Sequence, residues 1–216
     1  MRVIDASDRS LLLVFDEHIT LAAHRDVLRL TSRLRTLPGV INVHPAYASI
    51  LIDFDPLSTT HLRLQRTAEE LYRETAAMPL PDPRTVEIPV VYGGAHGPDL
   101  EQVAALTGLT PGEVIALHSG AGYIVYFLGF SPGFPYLGGM PEAIATPRLD
   151  TPRRSVPAGS VAIGGRQTGV YPMASPGGWR VIGRTPLRLF DPAADPPALL
   201  RMGDHVKFVP VERGGF

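Results

Sequence analysis

Residues 151–190 read TPRRSVPAGSVAIGGRQTGVYPMASPGGWRVIGRTPLRLF. No helical periodicity runs through this text. Its β-like pieces, at 160–163, 169–171, 179–182 and 187–190, are short and bounded by Gly or Pro. Short strands between turn residues, repeated several times, predict a small barrel or sandwich. The same stretch holds Arg153, Arg154, Arg166, Arg180, Arg184 and Arg188 and no Asp or Glu, a local charge of +6. Guanidinium groups and Gly-rich backbone amides both bind carboxylate and phosphate oxygens. The competing reading is that these arginines face solvent and pair with acids elsewhere. Arg153, Arg154 and Arg184 are the better anion-site candidates, because they lie in expected loops beside Pro or Gly.

The β-text extends outward on both sides. Residues 123–128 form an apolar strand candidate and residues 206–211 close the chain with another. Between 123–128 and the arginine stretch lies 129–140, GFSPGFPYLGGM, rich in Gly and Pro with three aromatics. It is expected as a loop, not a strand, that either lines a pocket or docks a partner, or packs its own aromatics against the barrel as an Ω-loop. Pro98-Asp99 opens a helix to about residue 106. Thr110-Pro111-Gly112-Glu113 has capping-box spacing and opens a second helix to about His118.

The N-terminal third reads differently. Residues 11–15 form a strand, Thr20 caps a helix to about residue 37, and 40–43 and 48–54 are strands. Ser58 or Thr59 caps a helix to about residue 77, and 86–91 is the last strand. That order is β-α-β-β-α-β, the split-βαβ plan of ferredoxin-like domains. The stiff segment 78–84, MPLPDPR, marks the boundary. The expected organisation is an α/β domain over 1–80 and a β-barrel domain over 85–216, an α+β chain.

Length and composition exclude several functions. The chain has 216 residues, 44% hydrophobic and 19% charged, with a net charge of −1. This is a globular composition without the basic excess of a generic nucleic-acid binder, so no nucleic acid is expected. No Cys is present. That excludes disulfides, thiolate metal sites and a Cys nucleophile. The run 11–15 is far shorter than the ~20 residues that span a bilayer, and no export signal is visible. The expected location is the cytoplasm, with no membrane partner. Lys207 is the only lysine and follows no Gly, so no P-loop exists. The seven histidines form no metal-ligand spacing, and no metal is expected.

Two further features bear on chemistry. The segment 172–179, PMASPGGW, reads either as a substrate loop in which Ser175 and backbone amides meet the sole tryptophan, Trp179, or as a tight turn with a core tryptophan; Met173 breaks the Gly-x-Ser-x-Gly elbow. His118 ends an expected helix, where the macrodipole favours its protonated form.

The segments GFSPGFPYLGGM, PRRSVPAGSVAIGGRQTGVYP and SPGGWRVIGRTP, in that order and spacing, closely resemble one family. It comprises the B subunit of bacterial ATP-dependent 5-oxoprolinase, the sporulation-kinase inhibitor KipI and proteins labelled allophanate hydrolase subunit 1. The carboxyltransferase part of urea carboxylase is similar. The resemblance implies a small α/β domain followed by a cyclophilin-like β-barrel. It implies a hetero-oligomer with a C subunit and, transiently, an A subunit, cleaving 5-oxoproline to glutamate with ATP as co-substrate. In the KipI branch it implies instead a sensor histidine kinase as partner. The amidase chemistry of an allophanate hydrolase needs a Ser-Ser-Lys type site, which Lys207 is poorly placed to supply.

Residue type and loop context then assign roles. Arg153, Arg154 or Arg184 hold a carboxylate or phosphoryl oxygen. His118, Gln167 and Tyr171 supply hydrogen bonds or proton transfer. Phe134, Tyr136 and Trp179 wall the pocket, and Ser175 lies in the substrate loop. A prolyl isomerase activity rests on fold alone, which does not carry function.

Overall fold

Strict alternation of burial organises the first sheet. The computed structural model describes residues 1–80 and 82–212, which form two compact units, Met1–Asp82 and Pro83–Phe216. In the first unit, β1 (Arg2–Ser7), β2 (Ser10–Val14), β3 (Val40–Pro45) and β4 (Ser49–Phe54) make an antiparallel sheet in the order β1-β2-β4-β3. Leu11 and Leu13 of β2 and Ile50, Ile52 and Phe54 of β4 are buried at every second position. One face of the sheet therefore faces a core. Helix α1 (Leu21–Leu34) adds Val27, Leu30 and Leu34 to the buried set, and α2 (His61–Thr75) adds Leu64 and Ala68.

Thr20 caps α1, its Oγ1 accepting from the Ala23 N–H at 3.1 Å. The cap of α2 is Thr60, not Ser58 or Thr59, which belong to the preceding turn around Asp55. Both helices end two or three residues before the sequence reading places their ends.

The fourth strand of this sheet is a correction to the sequence reading. The edge beside β2 is β1, at the N-terminus, and not 86–91. The split-βαβ arrangement is kept, with its outer strand supplied from the opposite end of the segment. RVIDAS hides this because five of its six residues are exposed, so it shows no apolar alternation.

The strand expected at 86–91 belongs to the second unit. There β5 (Thr85–Tyr92), α3 (Leu100–Thr107), α4 (Pro111–Gly120), β6 (Tyr123–Leu128) and β7 (Pro135–Gly138) come first. A 3₁₀ turn at Glu142–Ile144 precedes β8 (Arg153–Val156), β9 (Ser160–Gly164), β10 (Gln167–Val170), β11 (Ser175–Gly177), β12 (Arg180–Arg184) and β13 (His205–Pro210). Seven strands close a barrel in the order β10-β7-β6-β13-β5-β12-β9, and β9 pairs back to β10. Among the described strands, β5 and β13 pair in parallel and the other barrel pairs are antiparallel. Strands β8 and β11 form a separate antiparallel ribbon.

Strand β9 is buried at every position and β12 at all but its last, which is why their text is continuously apolar, whereas β13 alternates, with Lys207 exposed between Val206 and Phe208. Val161 and Ile163 point to the interior with Ile88, Leu137, Ile182 and Phe208. Ala162 and Val181 point the other way, into a second cluster with Phe134, Val156, Tyr171 and Trp179. That outer cluster positions the site described below. Helices α3 and α4 add Val103, Ala104 and Val114 to the interior cluster. The capping box on α4 is complete: the Glu113 N–H donates to Thr110 Oγ1 at 3.3 Å, and the Thr110 N–H donates to Glu113 Oε2 at 2.7 Å.

Two local expectations fail here. Residues 187–190 are not a strand and make only an isolated bridge, Phe190 to Ala198. Both neighbours of β12 are already taken by β5 and β9, so the closed barrel offers no edge. Conversely, 129–140 is not all loop. Its residues 135–138 are β7, with Pro135 at the first strand position, where no ladder N–H is needed.

Candidate functional site

The outer aromatic cluster opens into a cavity of about 270 Å³. Its lining combines the aromatics Phe130, Phe134, Tyr136, Tyr171 and Trp179 with Arg148, Pro152, Pro176, Gly177 and Gly178. Phe134 is the hub. Its ring centroid lies 5.3 Å from Tyr136, 5.3 Å from Tyr171 and 5.6 Å from Trp179, each pair edge-to-face. Such pairs add stability beyond burial and hold the rings in one arrangement.

The Gly-rich text follows from this packing. A Cβ on Gly164 would stand 2.5 Å from the Trp179 indole, and one on Gly177 would overlap the Tyr171 hydroxyl. The rings lie directly on backbone, so no side chain fits there. Phe130 is the exposed rim of the wall and adopts φ +64°, a left-handed conformation that costs a non-glycine residue about 1 kcal/mol or more.

The electrostatics are simple. Among the described residues no acid lines the cavity, and Arg148 is the one charged residue of its lining. The Arg148 guanidinium sits over the Trp179 ring, 5.7 Å from its centroid. Burial pushes the Tyr171 phenol above its ordinary value, opposed by a hydrogen bond from the Trp179 backbone N–H and by the charges of Arg148 and Arg153. Tyr171 is thus a neutral hydroxyl at pH 7, with its own proton available to a ligand. The cavity can therefore hold a flat, apolar-bodied molecule and meet one polar and one anionic group on it.

Of the residues named from sequence, Phe134, Tyr136, Tyr171 and Trp179 converge here. Ser175 adjoins lining residue Pro176 on β11, and its Oγ is buried with no hydrogen-bond partner among the described residues. Gln167 starts β10 opposite Gly164 and is not part of the lining. The arginines disperse. Arg153 Nη2 donates to Asp99 Oδ1 at 2.6 Å, and Asp99 Oδ2 accepts from the Val181 N–H at 2.6 Å, tying the ribbon to the start of α3 and to β12. Arg154 is exposed on β8. Arg184 Nε donates to Ala158 O at 2.9 Å and lines a different groove, of about 650 Å³, with Met173, Leu187 and Phe190. Arg166 pairs with Glu142 and Arg188 with Asp191. The positive stretch is therefore not one anion site. Lys207 is exposed, with Nζ 3.8 Å from Glu87.

His118 lies in the barrel core, fully buried, rather than at the cavity. Thr168 Oγ1 donates to Ala162 O at 3.0 Å, so it must accept from His118 Nε2–H at 2.9 Å. His118 Nδ1 then accepts from the Tyr92 hydroxyl at 2.8 Å. The residue is the neutral Nε2–H tautomer, with both nitrogens used. Burial drives its pKa down to about 3, which reverses the protonated state expected from the helix terminus. Its role is to join α4, β5 and β10 inside the barrel.

Arg148 is the cavity residue that sequence reasoning missed. It lies three residues before the acid-free stretch, with Asp150 between, so a window drawn on charge leaves it out. Among the described residues no group of three or more His, Asp or Glu is placed to hold a metal ion.

The family model "Carboxyltransferase domain, subdomain C and D" matches residues 1–200. The chain is similar to the 5-oxoprolinase B subunit of Escherichia coli O157:H7, 48% identical over 207 residues, covering 96% of this chain and 94% of that one. The chain belongs to the family of 5-oxoprolinase B subunits. A second member, the 5-oxoprolinase B subunit of Bacillus subtilis (strain 168), is 50% identical over 182 residues, 80% of this chain and 76% of the relative. Among solved structures, that of TTHA0988 superposes with a TM-score of 0.85 at 40% identity. The match covers 96% of this chain but 41% of TTHA0988, so the family fold here spans about two-fifths of that longer polypeptide.

Proposed function

We propose that the chain is the B subunit of an ATP-dependent 5-oxoprolinase and that the aromatic cavity receives the lactam ring. The observation that carries this reading is the 48% identity across 94% of a relative bearing that name. ATP is co-substrate of the complex. The chain has no Gly-Lys pair and hence no P-loop, so it does not hold ATP through that motif. The partners are a C-type subunit, held stably, and an A-type subunit, held transiently. The site of action is the cytoplasm, where ATP is available, and the chain alone is inactive.

The chemistry sets what the cavity must do. A lactam carbonyl is a poor electrophile. Transfer of a phosphoryl group from ATP to the lactam oxygen creates a leaving group. Water then adds at that carbon, and the ring C–N bond breaks with protonation of nitrogen, leaving an acyl phosphate; a second water displaces phosphate from it, giving glutamate, ADP and phosphate. Phe134, Tyr171 and Trp179 exclude bulk water from the ring faces and orient it, which contributes through proximity. The neutral Tyr171 hydroxyl donates a hydrogen bond to an oxygen on which charge develops.

The test is subunit omission. This chain is co-expressed with its genomic neighbours of the A and C types, and 5-oxoproline-dependent ATP hydrolysis is measured with one protein left out at a time. Activity should vanish without this chain. Activity that persists without it refutes the reading.

A further inference from the structure

The loop before β8 is pinned on both sides of one residue. Thr146 exchanges backbone hydrogen bonds with Gly165 at 3.2 and 2.7 Å. Pro147 O accepts from the Nε of buried Arg180 at 2.8 Å. The Leu149 N–H donates to Gly178 O at 2.7 Å. Between these anchors Arg148 projects over the Trp179 indole at the cavity rim. Loop backbone this constrained fixes where the guanidinium starts, and the indole face fixes where it lies.

Nothing in the described residues neutralises it. No carboxylate pairs with Arg148, although Arg153, Arg166 and Arg188 each have one. The cavity it overlooks contains no acid. A guanidinium over a ring uses its face, which leaves its in-plane N–H fork for a carboxylate.

We infer that Arg148 is the specificity-determining residue of the cavity and recognises the carboxylate of a small, flat-ringed amide whose body lies against Phe134, Tyr171 and Trp179. This rests on the 5-oxoprolinase reading for the identity of the ring, and it moves the anion contact from Arg153, Arg154 and Arg184 to Arg148. The carboxylate is a binding handle remote from the reacting carbonyl, so its loss acts on affinity more than on turnover.

Trp179 is the only tryptophan and lies directly under Arg148, so its fluorescence reads the cavity in the isolated full chain. The probes are 5-oxoproline and 2-pyrrolidinone, the same lactam without the carboxylate. A saturable fluorescence change is expected with 5-oxoproline. Arg148→Ala should weaken that binding by about 10- to 100-fold, the worth of a charge-assisted hydrogen bond, and Arg148→Lys should recover part of it. Binding of 2-pyrrolidinone should be the same in wild type and Arg148→Ala. Within the reconstituted complex, Arg148→Ala should raise KM for 5-oxoproline by a similar factor with kcat within about threefold.

Equal 5-oxoproline affinity in wild type and Arg148→Ala overturns the inference. So does an equal loss for both lactams, or a wild-type chain with no saturable change. Carboxylate-dependent binding in a chain that the omission assay finds dispensable would leave Arg148 standing and sink the 5-oxoprolinase reading instead.

Discussion

Acid should weaken the barrel through His118, and the size of the effect follows from its burial. In the unfolded chain the imidazole takes up a proton below its ordinary pKa of 6.5; in the folded barrel it resists until about 3. Across that window the unfolded state binds more protons, so stability is full above pH 6.5 and falls as pH drops toward 3. The limiting slope is about 1.4 kcal/mol per pH unit. Counting the protonated fraction of a pKa 6.5 group between pH 7 and pH 5 gives a loss of about 2 kcal/mol. The perturbation that isolates it is His118→Gln, which cannot titrate. Urea unfolding of both proteins is followed by Trp179 fluorescence, which reports the second unit because the sole tryptophan lies there. The variant will be less stable at every pH, since it disturbs the Tyr92–His118–Thr168 chain. The relevant quantity is the pH dependence. Wild type should lose about 2 kcal/mol more than the variant between pH 7 and pH 5. Parallel curves for the two proteins would show that His118 does not resist protonation in the fold, and the buried neutral tautomer would be wrong.

Three other outcomes follow from the packing around the site. Asp99→Ala removes the acceptor for both Arg153 and the Val181 N–H and should cost about 3 kcal/mol in urea unfolding, because a largely buried guanidinium loses its partner. Gly97→Ala should be among the most damaging small substitutions in the chain, with a drop in thermal midpoint of several degrees or no soluble barrel, because its Cβ would overlap the Ile182 carbonyl where β12 meets the α3 approach. Arg154→Ala, at an exposed ribbon position, should leave 5-oxoproline-dependent turnover and the unfolding midpoint unchanged; a tenfold loss of turnover would restore the anion role read from sequence.

The barrel was more legible in the sequence than the site. Tyr123–Leu128 appears at the bounds read from text, and 160–163 and 206–211 fall within a residue of β9 and β13. Strand β9, buried at every position, leaves an apolar run, β13 alternates around exposed Lys207, and a closed barrel repeats such short segments. What escaped is what carries no such run. The exposed edge strand β1 has no apolar face, and β7 is only four residues between Gly-rich turns. At the site, the aromatic residues were legible because Gly and Pro surround rings that rest on backbone. The arginines were not, because charge density along the chain says nothing of direction. Arg153, Arg166 and Arg188 reach acids at Asp99, Glu142 and Asp191, all outside the stretch that looked unpaired. His118 was legible as a special residue and misread in state, since burial outweighs a helix terminus that is visible in sequence.

If the aromatic cavity takes the lactam ring, filling it must stop the reaction. Gly178 allows this to be tested without damaging the fold. It lines the cavity, and a Cβ there meets only ordinary contacts, the nearest at 3.6 Å from Pro152. Gly178→Leu should fill the cavity while leaving the thermal midpoint and assembly with the partner subunits intact. The decisive measurement is glutamate formed from 5-oxoproline by the reconstituted complex carrying this variant. A loss of tenfold or more in kcat/KM, in a complex that still assembles, is the predicted result; wild-type glutamate formation with the cavity filled would contradict the account.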